Sequence, residues 1–189
     1  MAKLSVLYVI RNEQDLIEKS MRSIQPIADE IIVIDTGSLD KTISICRKFP
    51  YVKIFSHAWV HDFSKTKNYG IKQCTGDWIL CMDADELLDR ESAAMIKSAI
   101  TNAKPNIAGY SLHITDHETS FDENSPTNEK SFFQSPQMRV FRKNSKIQFE
   151  GKINETAIFS AKKIGGIDLL GAKIHHFLWR AKGDEYKQG

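Results

Sequence analysis

Asp83 and Asp85 stand one residue apart at the end of the apolar run Trp78-Ile79-Leu80-Cys81-Met82. The stretch WILCMDADELL, residues 78–88, has the length and composition of a buried strand running into an acidic end. Successive strand side chains point to opposite faces, so the spacing predicts that Asp83 and Asp85 share one side. Two hard oxygen donors on one side suit Mg²⁺ or Mn²⁺, ions that proteins share between a few carboxylates and a substrate phosphate. The chemistry these residues point to is metal-assisted work on a phosphorylated substrate.

Such residues need a scaffold, and the pattern around them supplies one. Residues 4–10, 31–34 and 52–55 read as strands, and helical patterns separate them. Ile17, Met21 and Ile24 make one helical face. Ser38 is expected to cap a helix carrying Leu39, Ile43 and Cys46 inward, and Ser64 to open another. A further helix is expected near residues 91–102. Strands alternating with helices at this spacing predict an α/β fold with a mostly parallel central sheet. From residue 107 the pattern changes to strands at 107–114, 138–142, 147–150 and 173–179, with a long polar loop over 115–135. Ligands of open α/β sheets bind outside the carboxyl ends of the strands. The clusters Arg11-Asn12-Glu13, Asp35-Thr36-Gly37-Ser38 and Asp83-Ala84-Asp85 fall at such ends, so one crevice is expected to gather Glu13, Asp35, Asp83 and Asp85.

The 189 residues suit one well-cored domain, and 41% hydrophobic with 26% charged residues is ordinary globular composition. A formal net charge of +2 gives no nucleic-acid signature. Lys162, Lys163, Lys173, Arg180 and Lys182 read as a solvated basic face, with attraction to an anionic surface as the lesser alternative. The cysteines Cys46, Cys74 and Cys81 have no ligand spacing and suit a reducing cytosol. The apolar run at residues 4–10 is too short for a signal peptide or a membrane span. Asp40 reads as a turn residue, Trp59, Phe63 and Trp78 as packing residues rather than sugar platforms, and Arg139 with Arg142 as an exposed strand face.

Taken in order, VIRNEQDL (9–16), DEIIVIDTGSLDKT (29–42), HDFSKTKN (61–68), TGDWILCMDADE (75–86), MRVFRKNSKIQFEGKINE (138–155) and IHHF (174–177) resemble the family 2 glycosyltransferases. The branch they resemble includes bacterial lipopolysaccharide-core glucosyltransferases. The resemblance implies a single GT-A domain over 1–189, with a nucleotide-sugar-binding half at 1–105 and a strand- and loop-rich acceptor half at 106–189. It implies an inverting hexose transfer from a UDP-sugar to a glycan, lipid-linked or lipopolysaccharide-type acceptor, with Mn²⁺ or Mg²⁺. By this resemblance Glu13 and Asp35 line the nucleoside pocket, Lys67 lies near the base or diphosphate, and Asn68 positions its loop. Trp59 and Phe63, although read as packing residues, flank the expected donor loop. Asp83 contacts ribose or sugar, and Asp85 binds the metal together with His176, with His175 as the fallback. Glu155 is the candidate base. A cytoplasmic enzyme, with peripheral attachment at the inner membrane face allowed, would follow.

The family segment usually ends in His-Glu, and Asn154-Glu155 stands here. That departure keeps open a non-catalytic nucleotide-sugar-binding domain. A strand followed by Asp-x-Asp also resembles the nucleophile motif of haloacid-dehalogenase phosphatases, although Leu87 stands where that motif wants Thr or Val.

Overall fold

The computed structural model describes residues 2–117, 131–152 and 154–177. The chain runs β1 (Leu4–Ile10), α1 (Ile17–Ile24), β2 (Glu30–Asp35), α2 (Thr42–Cys46), β3 (Val52–Ser56), α3 (Phe63–Gln73), β4 (Trp78–Met82), β5 (Glu86–Leu88) and α4 (Arg90–Thr101). It continues with β6 (Ile107–His117), β7 (Ser131–Phe133), β8 (Gln137–Arg142), α5 (Ile158–Lys162) and β9 (Gly166–Phe177). The strands form one sheet in the order β3-β2-β1-β4-β8-β6-β9-β5, with β7 paired to β6. From β3 to β4 the pairing is parallel. Beyond β4 it becomes mixed: β8 is antiparallel to β4 and β6, β9 is parallel to β6, and β5 is antiparallel to β9.

Both faces of the sheet are covered, which is why β1 and β4 are near-continuous apolar runs rather than alternating ones. Leu4, Val6, Tyr8 and Ile10 of β1 point towards α1 and α4, joining Ile17, Met21, Ile24, Ile96 and Ile100. Leu7 points the other way, with Ile34, Ile79, Cys81 and Ile71 of α3. Close approach of α3 to the sheet depends on Gly70, where an added Cβ would stand 2.5 Å from a Leu7 methyl and 3.0 Å from Ile34. Cys46 and Cys81 are buried as small hydrophobes. Among the described residues no helix is long and apolar enough to cross a membrane.

The amino-terminal ends of the strands are held by Glu30, 6% exposed. Its carboxylate accepts from Ser5 Oγ (2.5 Å), Thr75 Oγ1 (2.8 Å) and Lys53 Nζ (2.8 Å), and from the Thr75 backbone N–H. Burial alone would raise this carboxyl, but the bonds from Lys53, Ser5 and Thr75 outweigh it and hold it down at about 2 against an ordinary 4.5. A carboxyl lowered by folding stabilises the fold above its unfolded value, and that contribution is lost as pH falls through the folded one. Glu30→Gln is therefore expected to cost about 2 kcal/mol at pH 7 and almost nothing near pH 2, read from urea midpoints at both. An equal cost at the two pH values would refute the linkage.

Several local expectations are corrected. Leu39 is 91% exposed, because the chain is not yet helical there; α2 starts three residues later. The Ser38 hydroxyl accepts from Asn12 N–H instead of capping α2. The cap of α3 is Asp62, which accepts from Lys65 N–H, so Ser64 lies inside the helix. Residues 147–150 form no strand beyond a single bridge between Glu150 and Thr156. Side chains take the place of a strand neighbour: Asn68 bonds both backbone groups of Phe149 (2.8 and 2.9 Å), and Ser160 Oγ bonds those of Gln148 (3.0 and 2.7 Å). The expected loop at 115–135 is strand at both ends, in β6 and β7. Its residues 118–130 lie outside the described residues, as do Trp179, Arg180 and Lys182.

Candidate active site

The first wall of the site is built where β1 and β2 end. Asp35 closes β2, and its Oδ1 accepts from the backbone N–H groups of Gly37 (3.3 Å) and Ser38 (2.9 Å). The β1 loop is laced to the β2 loop. Asn12, in the left-handed region at φ 56°, accepts from Leu39 N–H (2.8 Å), and Glu13 N–H donates to Thr42 Oγ1 (2.7 Å). Asp40 accepts from Thr42 and from Gln14 N–H, so it is the structural residue its turn chemistry suggests. The Glu13 carboxyl is pushed up to about 7, first by burial and then by the charges of Asp85, Asp40 and Asp83. This wall is thus a concentration of negative charge that a cation would relieve.

Asp83 and Asp85 do not share a strand face. The strand β4 stops at Met82, and a tight turn closed by Glu86 N–H on Asp83 O (3.2 Å) separates the two carboxylates. Asp83 faces Arg139, whose Nη1 stands 3.3 Å from its Oδ2, while the other arm of the fork reaches Glu86 Oε1 at 2.6 Å. The second Glu86 oxygen accepts from Asp83 N–H at 2.9 Å, so one arginine and one glutamate fix the turn. Arg139 is therefore no exposed strand residue: its side chain is 11% exposed and Glu86 1%. Burial drives the Glu86 carboxyl upward against the pull of Arg139, whereas the charges of Lys67 and Arg139 overcome burial at Asp83 and hold it low. Nor does Arg142 face water alone, since its guanidinium lies 4.5 Å from the Trp78 ring and donates to Ile107 O at 2.7 Å.

Asp85 turns to β9. Its Oδ2 lies 3.3 Å from His176 Nε2, and the other ring nitrogen of His176 bonds Asp116 Oδ1 of β6 at 2.8 Å. Gln134 in turn donates to both Asp116 oxygens (2.8 and 2.7 Å). The bond to Asp85 outweighs burial and, with Asp116, raises the imidazole to about 9. One ring nitrogen held by an outer carboxylate is how metal-ligating histidines are oriented, and a cation at Nε2 would replace the proton shared with Asp85. Among the described residues no group of three or more His, Cys, Asp or Glu is placed to hold a metal ion. A Mg²⁺ or Mn²⁺ that keeps waters and takes substrate phosphate oxygens needs no such group, so Asp85 with His176 fits it. His175 projects to the opposite face, bonding His117 (2.9 Å) and the α4 cap Asp89 (3.1 Å).

Beside this wall opens a cleft of about 540 Å³, lined among others by Lys67, Asp83, Arg139, Asn154, Glu155 and Phe63. Glu155 Oε1 bonds Lys67 Nζ at 2.6 Å, with each side chain 12% exposed. Lys67 also lies over the Phe149 ring at 5.3 Å. Burial would lower the Lys67 ammonium, but the charges of Asp83 and Glu155 hold it above its ordinary value. Asn154 sits at φ 55°, at the bend that delivers Glu155 to the cleft. The Asn68 bonds to Phe149 anchor this loop, as its expected positioning role requires.

Four residues that complete the site have no role assigned from the sequence: Arg139 and Glu86, which lie inside recognised segments, and Asp116 and Gln134, which lie outside them. Only Glu86 had a legible signal, an acid opening the apolar pair Leu87-Leu88.

A family model described as glycosyl transferase family 2 matches residues 5–161. The glycosyltransferase SunS of Bacillus subtilis is 29% identical over 178 residues, covering 89% of this chain and 38% of its own length. A TPR repeat-containing protein of Synechococcus elongatus is 38% identical over 100 residues, 53% of this chain and 25% of that one. The chain therefore spans 25–38% of the length of these curated relatives. In fold it is similar to S. aureus TarS 1–349 in complex with UDP-GlcNAc, with TM-score 0.67 and 18% identity over 99% of this chain and 61% of that one. It is also similar to the Mycobacterium tuberculosis glucosyl-3-phosphoglycerate synthase in complex with Mn²⁺ and UDP-glucose, with TM-score 0.51 and 19% identity over 60% and 44%. The sheet and its helices are those of the GT-A fold. That membership sets aside the phosphatase reading of Asp83-Ala84-Asp85, and with the motif order and sheet ends agreeing, the chain belongs to glycosyl transferase family 2.

Proposed function

We propose that the chain is the catalytic domain of an inverting glycosyltransferase that moves a hexose from a UDP-sugar to a glycan, lipid-linked or lipopolysaccharide-type acceptor. The observation that carries this reading is that Asp85 stands 3.3 Å from His176 just past Asp83, and that Asp83 lines a cleft together with Glu155. Glu13 and Asp35 hold the nucleoside, and Asp83 meets ribose or sugar. Asp85 and His176 would hold Mn²⁺ or Mg²⁺, which when bound offsets charge developing on the departing diphosphate. Lys67 lies near the base or diphosphate, and its ion pair keeps Glu155 oriented. Glu155 takes the acceptor hydroxyl proton as that oxygen forms its bond to the anomeric carbon and the carbon–diphosphate bond breaks on the opposite side. Residues from 106 onward contribute to the acceptor side of the cleft. A cytoplasmic enzyme, with peripheral contact to the inner membrane face, agrees with this chemistry.

Calorimetric titration of UDP, with and without Mn²⁺, tests the donor half. Metal-dependent binding is expected in the parent and a loss of at least about tenfold in Asp85→Ala, because one of two protein ligands is gone. Metal-dependent binding of unchanged strength in Asp85→Ala would sink the assignment of Asp85. Binding without turnover of any UDP-hexose would favour the non-catalytic alternative that Asn154 keeps open.

A further inference from the structure

Phe63, read from sequence as a packing residue, is 41% exposed and lines the same cleft as Glu155. Half-buried Trp59 meets it edge-on, ring centroids 4.7 Å apart at 65°, after the chain turns through the left-handed region at His61 (φ 52°). An aromatic pair in this geometry is a stiff surface rather than a loose side chain. It is also tied to the segment that carries Glu155. Phe63 N–H donates to Lys152 O (3.3 Å), and Ser64 Oγ donates to Gly151 O (2.5 Å).

The chemistry of the cleft narrows what such a surface receives. Both cations that line it are already paired, Lys67 with Glu155 and Arg139 with Asp83 and Glu86. The face of Phe149 is taken by Lys67 at 5.3 Å. Among the described lining residues, what remains on offer is the exposed ring of Phe63, the amides of Gln137 and Asn154, the Thr156 hydroxyl and the carboxylates of Asp83 and Glu155. Hydroxyl-bearing rings with one C–H-rich face match that set, whereas an anionic ligand would find, among the described lining residues, only cations that are already paired.

We infer that Phe63, backed by Trp59, is the platform of an acceptor subsite that stacks the face of a neutral pyranoside and presents its hydroxyl to Glu155. The inference rests on the glycosyltransferase reading for the word acceptor, but the stacking itself can be measured without turnover. The probes are methyl β-D-glucopyranoside, methyl β-D-galactopyranoside and methyl N-acetyl-β-D-glucosaminide, in saturation-transfer NMR with and without UDP and Mn²⁺. Saturation of ring C–H protons is expected for at least one glycoside. Affinity should fall about fivefold or more in Phe63→Ala, and should be kept in Phe63→Tyr, which restores the ring. UDP affinity should be the same in all three proteins. No saturation from any of the glycosides, or equal affinity in Phe63→Ala, overturns the platform. Glycoside binding lost in Phe63→Ala, in a protein that binds no UDP, would uphold the platform and remove the glycosyltransferase reading.

Discussion

Glu155→Gln is expected to lower sugar transfer by about 10²–10⁴-fold while leaving UDP affinity within about twofold of the parent. The substitution is nearly isosteric, and its amide oxygen can still accept from Lys67 Nζ, now 2.6 Å from Glu155 Oε1. The loop should therefore keep its place, held also by Asn68 on Phe149 and by Ser64 on Gly151. What is lost is the ability to take a proton. A loss confined to kcat, with the glycosides of the platform test still bound, is the signature of a base. Lys67→Met offers the contrasting case, since it strips a carboxylate 12% exposed of its counter-ion and should disturb both position and charge. Full transfer by Glu155→Gln would move the base elsewhere and leave Glu155 as a partner for Lys67.

The fold was readable because its information is periodic and local. Leu4 to Ile10, Ile31 to Ile34 and Trp78 to Met82 are apolar runs of strand length, and Ile17, Met21 and Ile24 repeat at helical spacing. The placing of the acids at strand ends was readable for the same reason: Asp35 ends β2, Asp83 directly follows β4, and Glu13 lies three residues beyond β1. What stayed hidden depends on contacts between distant segments. Asp83 and Asp85 looked like a same-face pair, yet the turn closed by Glu86 sends one to Arg139 and the other to His176. Arg139 alternates with apolar neighbours just as an exposed arginine would. Only the arrival of β8 beside β4 makes it a buried one. Residues 147–150 carry strand residue types, but the backbone partners of Gln148 and Phe149 are the side chains of Ser160 and Asn68, and no periodicity announces a side chain in that role. Phe63 failed in the opposite sense, being apolar and yet exposed to a cleft.

Arg139→Met should destabilise the domain by about 3–5 kcal/mol, because it removes one partner of a buried ion pair and leaves the other buried without its counter-ion. Glu86 is the residue that suffers. It is 1% exposed, its Oε1 loses the 2.6 Å bond to the guanidinium, and its other oxygen is committed to Asp83 N–H. Lysine is no substitute, since a single ammonium cannot span Asp83 and Glu86 as the planar fork does. Replacing Glu86 at the same time separates the cost of the stranded carboxyl from the cost of lost packing. Arg139→Met with Glu86→Gln should recover half or more of the loss, a coupling of about 1.5–3 kcal/mol in a double-mutant cycle on urea midpoints. If Arg139→Met lies within about 1 kcal/mol of the parent, the fork is not what holds the turn. The same cycle read through UDP titration separates scaffold from ligand contact. A double variant that regains stability but still binds UDP poorly would mean that Arg139 positions Asp83 for the donor. Recovery of both would confine Arg139 to holding the turn, and the carboxylates of Asp83 and Asp85 would then find their partners without it.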